Sequence, residues 1–297
     1  MNPSSTPAAE VAINSALVRS LLETQHPDLS GLLLEEVTAG FDNAVFRLGP
    51  KLAVRLPRRF AAVALLEHEQ KWLPLIANQL PVPVPSSLRI GRPDRGYPWC
   101  WSILPWLKGE AADLASLKPD QAKPLARFLR ALHVEAPADA PKNNLRGVPL
   151  RQRAAAIEDR MQRLEQKTKL VTADIRKIWQ SGVQAAEDEQ PTWIHGDLHA
   201  RNILVEDGSI SGVIDWGDMA SGDRATDLSA IWMLLPSLRS RERAMSECGA
   251  VPRATWLRAR GWATLFGVLL LDNGLADNPR HAKMGELTLR RIAEGPY

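Results

Sequence analysis

The sequence predicts an α+β protein of two lobes, in which a strand-rich first third is followed by a longer, mainly helical part. At 297 residues the chain is long for one compact core. Short apolar runs between turn residues dominate up to about residue 104, and apolar residues at helical spacing dominate after about residue 110. We therefore predict lobes at 1–104 and 110–297, joined by a hinge at the composition break 105–109.

The composition argues against several classes of protein. The net charge of +3 comes from Arg spread along the chain without basic blocks, so we expect no nucleic-acid partner. The longest apolar run, 262–271, is too short to span a bilayer, so we expect no membrane insertion. Residues 1–10 lack the pattern of a secretion signal, and Cys100 and Cys248 suit a reducing compartment. We expect a cytoplasmic protein.

The first lobe is predicted to open with a helix followed by three strands. Apolar residues recur at helical spacing over 11–26, where Pro27 ends the pattern. Alternating runs predict strands at 32–37, 44–48 and 52–56, with a turn at Gly40-Phe41-Asp42-Asn43 between the first two. The lobe therefore begins with an antiparallel arrangement of strands.

A single long helix and two further strands complete the first lobe. The helix is predicted over 60–79, and Pro74 should kink it or end it a turn later because proline removes a helical hydrogen bond. The extended run Pro81-Val82-Pro83-Val84-Pro85 then leads to strands at 88–90 and 99–104.

The second lobe is predicted to be mainly helical, because apolar residues recur there at intervals of three and four. The predicted helices lie at 119–133, 150–168, 173–187, 225–235, 236–250, 252–271 and 279–293.

The stretch from Trp193 to Gly217 carries the residues from which a chemistry can be predicted. Asp197 is followed five residues later by Asn202, and thirteen residues after that by Asp215 in a D-x-G turn. This is the order of parts that phosphoryl transfer needs: an acid for the attacking hydroxyl, then an amide and an acid for magnesium. Apolar runs beside both acids predict that each lies at a strand end in one hairpin.

These motifs identify a known family. The run His195-Gly196-Asp197-Leu198-His199-Ala200-Arg201-Asn202, with Ile214-Asp215-Trp216-Gly217, resembles the aminoglycoside phosphotransferase family of small-molecule kinases. The resemblance extends from about Val37 to Leu235. It implies a bilobal protein-kinase-like fold, in which a small lobe has an antiparallel sheet and one helix and the larger lobe carries the catalytic loop and acceptor region.

The resemblance also implies roles for individual residues. Asp197 would orient and deprotonate the acceptor hydroxyl, and Asn202 and Asp215 would bind Mg²⁺. Asp227 would brace the catalytic loop, and His195 would support that loop through a backbone hydrogen bond.

Three residues of the first lobe and two of the hinge would contact the nucleotide or order its site. Arg55 stands where protein kinases place a strand lysine, and Glu69 stands where they place its partner. Asn43 lies in the turn that would cover the phosphates. Pro105 would accept a hydrogen bond from the purine through its carbonyl, and Leu107 would donate one through its amide.

The implied reaction transfers the γ-phosphoryl group of ATP or GTP to a hydroxyl of a small molecule, with an antibiotic of aminoglycoside or macrolide type as the expected acceptor. A metabolic kinase for homoserine, a sugar or an amino alcohol would share every motif. A nucleotide-binding pseudokinase is disfavoured because the acids and the amide are present. A protein kinase is disfavoured because only about ten residues follow Asp215 before the next helix.

The charges of the second lobe bear on the acceptor. A pocket for polycationic aminoglycosides should be lined with acids, and few are available. They are Asp218, Asp223, Glu158, Asp159, Glu165 and Glu286. Against them stand Arg239, Arg241, Arg243, Arg253, Arg258, Arg260, Arg290 and Arg291 in the last quarter of the chain. This balance favours a less cationic acceptor such as a macrolide. The sequence does not distinguish ATP from GTP, and it leaves the oligomeric state open.

Overall fold

The structure is a computed structural model that describes residues 8–40, 42–188 and 190–295. The chain divides into two compact units. The first consists of Met1–Asn78 with Pro83–Lys108, and the second of Gln79–Val82 with Gly109–Tyr297. The predicted hinge over 105–109 spans the point where one unit gives way to the other.

The first unit contains the predicted helices and strands with small shifts of their ends. They are α1 (Ser15–Gln25), β1 (Leu34–Ala39), β2 (Asn43–Leu48), β3 (Leu52–Pro57), α2 (Val63–Ala77), β4 (Arg89–Gly91) and β5 (Trp101–Pro105). Helix α1 begins four residues later than predicted because Asn14 caps it: its side-chain oxygen accepts a 2.9 Å hydrogen bond from the Leu17 amide. Helix α2 ends at Ala77, three residues after Pro74, as expected of a proline inside a helix.

The five strands form one antiparallel sheet in the order β1-β2-β3-β5-β4. Strand β3 is central, and Arg55 within it pairs with Val45 on one side and Ser102 on the other. Alternate residues of these strands pack with α1 into an apolar core that includes Phe46, Val54 and Trp101. This register points Arg55 to the sheet face opposite Val54, because successive side chains alternate between faces.

The second unit is mainly helical, with three very short strands that the sequence did not reveal. Its elements are β6 (Glu110–Ala111), α3 (Ala122–Leu132), α4 (Ala154–Lys167), α5 (Ala173–Gln184), β7 (Thr192–Ile194), β8 (Ile203–Glu206), β9 (Ser209–Val213), β10 (Ala220–Gly222), α6 (Ala225–Leu228), α7 (Ala230–Leu234), α8 (Leu238–Glu247), α9 (Arg253–Asp277) and α10 (Pro279–Ala293). The missed strands are β6, β7 and β10, each of two or three residues.

The predicted hairpin exists, but it does not carry both acids. Strands β8 and β9 pair through the two-residue turn Asp207-Gly208, in which both residues have positive φ as a tight hairpin turn requires. Asn202 precedes this hairpin and Asp215 follows it. Asp197 instead follows β7, which pairs with β10 in a separate two-stranded sheet. The placement of Asp197 at a strand end of the hairpin was therefore wrong.

Helices α9 and α10 pack with their backbones in close approach. A Cβ atom on Gly274 would lie 2.0 Å from the Ala282 nitrogen, and one on Gly285 would lie 2.4 Å from the Leu271 nitrogen. Neither position leaves room for a side chain, so the two helices meet at their glycines. No helix in the described ranges is long and apolar enough to cross a membrane.

Candidate active site

The loop that carries Asp197 is held by a buried carboxylate. Asp227, at the start of α6, accepts hydrogen bonds of 2.7 Å from the His195 amide and 2.9 Å from the Gly196 amide. Gly196 has φ +85°, and a Cβ there would lie 2.8 Å from the Asp218 carbonyl oxygen. The loop therefore requires both the glycine and the acid, and Asp227 makes the bracing contact that the resemblance implied.

His195 is fully buried beneath the same loop and ties it to the hairpin. Its Nε2 lies 3.0 Å from the Ile214 carbonyl oxygen, and its Nδ1 lies 3.2 Å from the Asp197 amide nitrogen. A carbonyl can only accept and an amide can only donate, so the ring is the neutral tautomer protonated at Nε2. The predicted backbone hydrogen bond of His195 is thus confirmed, and it joins the Asp197 loop to the residue before Asp215.

Both carboxylate oxygens of Asp197 have partners in the second unit. Arg146 donates to Oδ1 at 2.8 Å, while His199 Nε2 and Asn202 Nδ2 lie 3.3 and 3.4 Å from Oδ2. Burial alone would raise the pKa of Asp197, but His199 and Arg146 outweigh it and hold the pKa below its ordinary value. Asp197 is therefore a carboxylate at neutral pH, ready to accept a hydrogen bond from an alcohol.

Asn202 and Asp215 lie at the two open ends of the hairpin, where the backbone holds them in register. The Ile214 amide donates to the Asn202 carbonyl oxygen at 2.9 Å. The Asn202 Nδ2 donates to the Asp197 carbonyl oxygen at 2.8 Å, so the side-chain oxygen of Asn202 is turned away from that carbonyl. Hydrogen bonds thus link all three predicted catalytic and metal-binding positions into one local framework.

The backbone of Asp215 is strained. It has φ +64° and ψ +66°, in the left-handed region that costs a residue with a side chain about 1 kcal/mol or more. Within the described ranges its carboxylate has no hydrogen-bond or ion-pair partner. Backbone strain of this kind is found most often at binding and catalytic sites.

The residues present fit a magnesium ion. One carboxylate and one amide oxygen are hard oxygen donors of the kind Mg²⁺ prefers, and this ion usually takes only one or two protein ligands beside water and phosphate. Within the described ranges no group of three His, Cys, Asp or Glu residues could hold a metal ion. One carboxylate and one amide suit an ion whose other ligands are water or phosphate oxygens.

Arg146, which the sequence did not reveal, is a further part of the site. It precedes Gly147, whose φ is +66°, and its amide donates to the side chain of Asn143 at 3.0 Å. Asn143 in turn donates to Asp218 at 2.7 Å. The guanidinium carbon of Arg146 lies 4.8 Å from the centre of the Phe266 ring, a cation–π distance.

Asp218 lies beside Arg146 and the loop that carries Asp197. Burial raises its pKa, and Asp197 and Asp215 add to the rise against the pull of Arg146. Both acids are therefore near enough to Asp218 to repel its charge. No signal in the sequence marks Arg146, because it lies in an irregular segment 51 residues from Asp197.

In the first unit the predicted ion pair is present. Arg55 Nη2 lies 2.6 Å from Glu69 Oε1, and both residues are buried. Glu67, two residues before Glu69, is exposed, as expected because residues two apart cannot share a helix face. The strand cation and the helix acid are thus brought together within this unit.

The remaining residues predicted to contact the nucleotide also lie in the first unit. Asn43 begins β2; its carbonyl oxygen accepts from Gly40, and its buried side-chain oxygen has no hydrogen-bond partner in the described chain. Phe41, in the same turn, lies outside the described residues. Pro105 ends β5, and the next amide, that of Trp106, donates to the Lys51 carbonyl oxygen at 2.7 Å. The roles of Asn43, Pro105 and Leu107 stay predictions.

Comparison with known protein families assigns the chain to one of them. A model of the phosphotransferase enzyme family, APH, matches residues 34–266. The chain belongs to this family. No curated protein matches the chain in sequence.

Solved structures of similar fold cover nearly the whole chain. The GDP complex of wild-type aminoglycoside 2'-phosphotransferase-IIIa has a TM-score of 0.67 at 20% identity, over 95% of this chain and 99% of that one. Macrolide 2'-phosphotransferase MphH from Brachybacterium faecium has a TM-score of 0.60 at 23% identity, over 96% and 99%. A streptomycin–ATP complex of APH(2")-IIa has a TM-score of 0.60 at 17% identity, over 88% and 90%. These likenesses confirm the predicted bilobal kinase-like fold.

Proposed function

We propose that the chain transfers the γ-phosphoryl group of a nucleoside triphosphate to a hydroxyl of a small molecule. The observation that carries this proposal is the hydrogen-bonded framework of Asp197, Asn202 and Asp215. It combines an ionised carboxylate with two oxygen donors suited to Mg²⁺. Within the first unit, the Arg55–Glu69 ion pair is the proposed phosphate-binding feature.

The proposed reaction makes one bond and breaks one. The acceptor oxygen bonds to the γ-phosphorus, the bond from that phosphorus to the β,γ-bridging oxygen breaks, and the nucleoside diphosphate leaves. The hydroxyl proton passes to Asp197, whose lowered pKa makes it a weak base. Asp197 therefore acts first by aligning the hydroxyl, and takes the proton once the oxygen has begun to bond to phosphorus.

The other residues bind and orient in this proposal. Asn202 and Asp215 would hold magnesium, which would neutralise charge on the phosphates when bound. Arg55 would hold phosphate oxygens with its planar fork, and Glu69 would keep that fork in place. Asn43, Pro105 and Leu107 would contact the nucleotide. ATP and GTP are both candidates, because relatives are known with ATP and with GDP bound.

We propose an antibiotic or related natural product as the acceptor, in keeping with relatives named for aminoglycosides and macrolides. A metabolic alcohol such as homoserine is the second candidate, since the same framework would serve it. Between antibiotic types the amine-rich aminoglycosides fit less well, because acids of the second unit are engaged with arginines.

The proposal is tested by measuring nucleotide consumption with ATP or GTP and a panel of acceptors, namely kanamycin, gentamicin, streptomycin, erythromycin, homoserine and a peptide mixture. The wild-type chain should consume nucleotide in an acceptor-dependent and Mg²⁺-dependent way. Asp197→Ala and Asp215→Ala should each lower kcat by about 10³-fold, which is several kcal/mol of barrier, without a loss of folding.

The matched control is Asp277→Ala, which removes an exposed acid at the end of α9. It should leave the rate unchanged. Phosphorylation by Asp197→Ala at the rate of the control would contradict the proposal.

A further inference from the structure

The two carboxylate oxygens of Asp197 are held unequally. Nη2 of Arg146 donates to Oδ1 at 2.8 Å. The contacts of Oδ2 are longer, because His199 Nε2 and Asn202 Nδ2 lie 3.3 and 3.4 Å from it. An arginine that faced both oxygens would occupy the whole carboxylate with its planar fork. The contact made here holds one oxygen firmly and leaves the other less tightly engaged.

The backbone that carries Arg146 is anchored on both sides. Before it, the Asn143 side chain accepts from the Arg146 amide at 3.0 Å and donates to Asp218 at 2.7 Å. After it, the amide of Gly147 donates at 3.1 Å to the hydroxyl of Thr226, a buried residue of α6. The segment is therefore fixed to α6, the same helix that braces the catalytic loop.

The side chain of Arg146 is held as well as its backbone. Its guanidinium carbon lies 4.8 Å from the centre of the Phe266 ring, which is buried in α9. Its Nε lies 3.9 Å from Asp218 Oδ2, and the side chain is only 18% exposed. An arginine on an open surface samples many rotamers, and ordering it costs conformational entropy. The aromatic ring and the two acids instead define one orientation, in which the guanidinium points at Asp197.

A carboxylate that aligns a hydroxyl has to keep its direction. Asp197 can turn about two side-chain bonds, and its accepting oxygen must set the acceptor oxygen in line with the γ-phosphorus. A misplacement of about 1 Å can lower a rate by about a hundredfold. A cation that fixes Oδ1 removes this freedom and leaves Oδ2 to accept from the hydroxyl.

We propose that Arg146 is a positioning residue for phosphoryl transfer, which fixes Oδ1 of Asp197 so that Oδ2 faces the acceptor hydroxyl. This inference rests on the proposed function and deepens it. The hydroxyl donates its hydrogen bond to Oδ2, and its proton passes to that oxygen as the bond to phosphorus forms. Because Arg146 acts through Asp197, it governs kcat rather than the binding of the nucleotide.

The kinetic test compares two variants of the full-length protein, assayed with Mg²⁺, the nucleotide that it consumes and the best acceptor of the panel. Arg146→Met keeps an unbranched side chain over the Phe266 ring but removes the cation, and should lower kcat about 100-fold. Arg146→Lys keeps a cation without the fork, and should lower kcat about tenfold. The KM of the nucleotide should stay within about twofold of the wild-type value in both variants, since uniform binding is untouched.

Chemical rescue separates positioning from a general effect on folding. Arg146→Ala leaves a space that soluble methylguanidinium can enter, so this compound should raise the kcat of that variant severalfold. It should not rescue Arg146→Met, whose side chain fills the space. The matched control is Arg151→Gln, which removes an exposed arginine paired with Glu187 and should have the kcat of the wild-type chain. Equal kcat values for Arg146→Met and Arg151→Gln would overturn the inference, as would a loss that appears only in the KM of the nucleotide.

Crystal structures test the same inference without an acceptor. In the wild-type chain Asp197 should have one conformation, with Oδ1 on Arg146, and in Arg146→Met its carboxylate should occupy more than one rotamer. A carboxylate of Asp197 that stays in place in Arg146→Met would show that Arg146 does not position it, whatever the enzyme phosphorylates. The proposed function fails separately, through retained phosphorylation by Asp197→Ala or through a wild-type chain that consumes no nucleotide with any acceptor of the panel.

Discussion

The carboxylate of Asp227 holds the amide of His195 at 2.7 Å, across 32 residues of sequence, and its second oxygen holds the amide of Gly196 at 2.9 Å. One buried side chain thus fixes the backbone just before Asp197. The contact joins α6 to the end of β7, two elements too short to be stable alone.

Replacing Asp227 should release the loop and lower the stability of the folded protein. Asp227→Ala leaves two buried amides without an acceptor, which we expect to lower the free energy of unfolding by about 3 kcal/mol. Urea unfolding followed by circular dichroism measures the change, with Asp277→Ala as the exposed control. Equal unfolding midpoints for the two variants would show that Asp227 does not hold the loop.

Variants of the Arg55–Glu69 pair should change stability and nucleotide binding separately. Glu69→Ala strands a buried cation and should cost about 3–5 kcal/mol, whereas the double variant Arg55→Met with Glu69→Met should regain most of that stability. The double variant should nevertheless bind nucleotide at least tenfold more weakly, measured by calorimetry. Wild-type nucleotide affinity in the double variant would exclude Arg55 from the phosphate site.

The glycine contact between α9 and α10 should tolerate no methyl group. Gly274→Ala places a Cβ 2.0 Å from a backbone nitrogen. We therefore expect the free energy of unfolding to fall by about 1–3 kcal/mol, measured by thermal unfolding. Gly31→Ala is the control, because a Cβ there meets nothing within 4 Å. Similar melting temperatures for the two variants would show that the helices move apart at little cost.

The network around Asp188 should make stability fall in acid. Burial alone would raise the pKa of Asp188, but hydrogen bonds from Thr255 and Arg258 outweigh it and hold the pKa below its usual value. A lowered folded-state pKa gives stability that is present above the unfolded pKa, near 4, and is lost as pH falls through the lower folded value. Asp188→Asn should reduce this loss below about pH 4 in urea unfolding measured from pH 7 to pH 3. An unchanged pH dependence would contradict this account.

The two thiols should react slowly while the chain is folded. Burial raises the pKa of Cys248 to about 12 and raises the pKa of Cys100, so little thiolate exists at pH 8. Mass spectrometry after iodoacetamide treatment should find both mostly unmodified in buffer and fully modified in urea. Rapid labelling of folded Cys248 would show that this region opens readily.

Most of the fold could be predicted because it follows local pattern. Most helices and the strands of the main sheet were found within about four residues of their true ends, with local causes of error such as the Asn14 cap of α1. Two helix predictions were wrong in part: the helix predicted at 252–271 continues to Asp277 as α9, and the one predicted at 225–235 is divided into α6 and α7. Strands β6, β7 and β10 could not be found, since two or three residues are too few for an alternating pattern. Their pairing depends on tertiary contacts.

Some residues of the candidate site could likewise be predicted from the sequence, and others could not. Asn202 and Asp215 could be placed together because a short hairpin connects them, and Arg55 and Glu69 because the family pattern places them. Asp197 was placed at a strand of the hairpin, but it follows β7. The strand that pairs with β7 is β10, which is distant in sequence and could not be predicted. Arg146 was missed altogether: its contacts to Asp197 and Phe266 cross long sequence separations from a segment without periodicity.

The segment that connects Asp215 to α6 is short. Residues 216–224 form a short 3₁₀ turn, β10 and the Asp223 contact to Arg258, and all of them are engaged in the fold. Residues 216–224 contain no long free loop that phosphorylation could reposition. We therefore expect the protein to need no activating phosphorylation in this stretch.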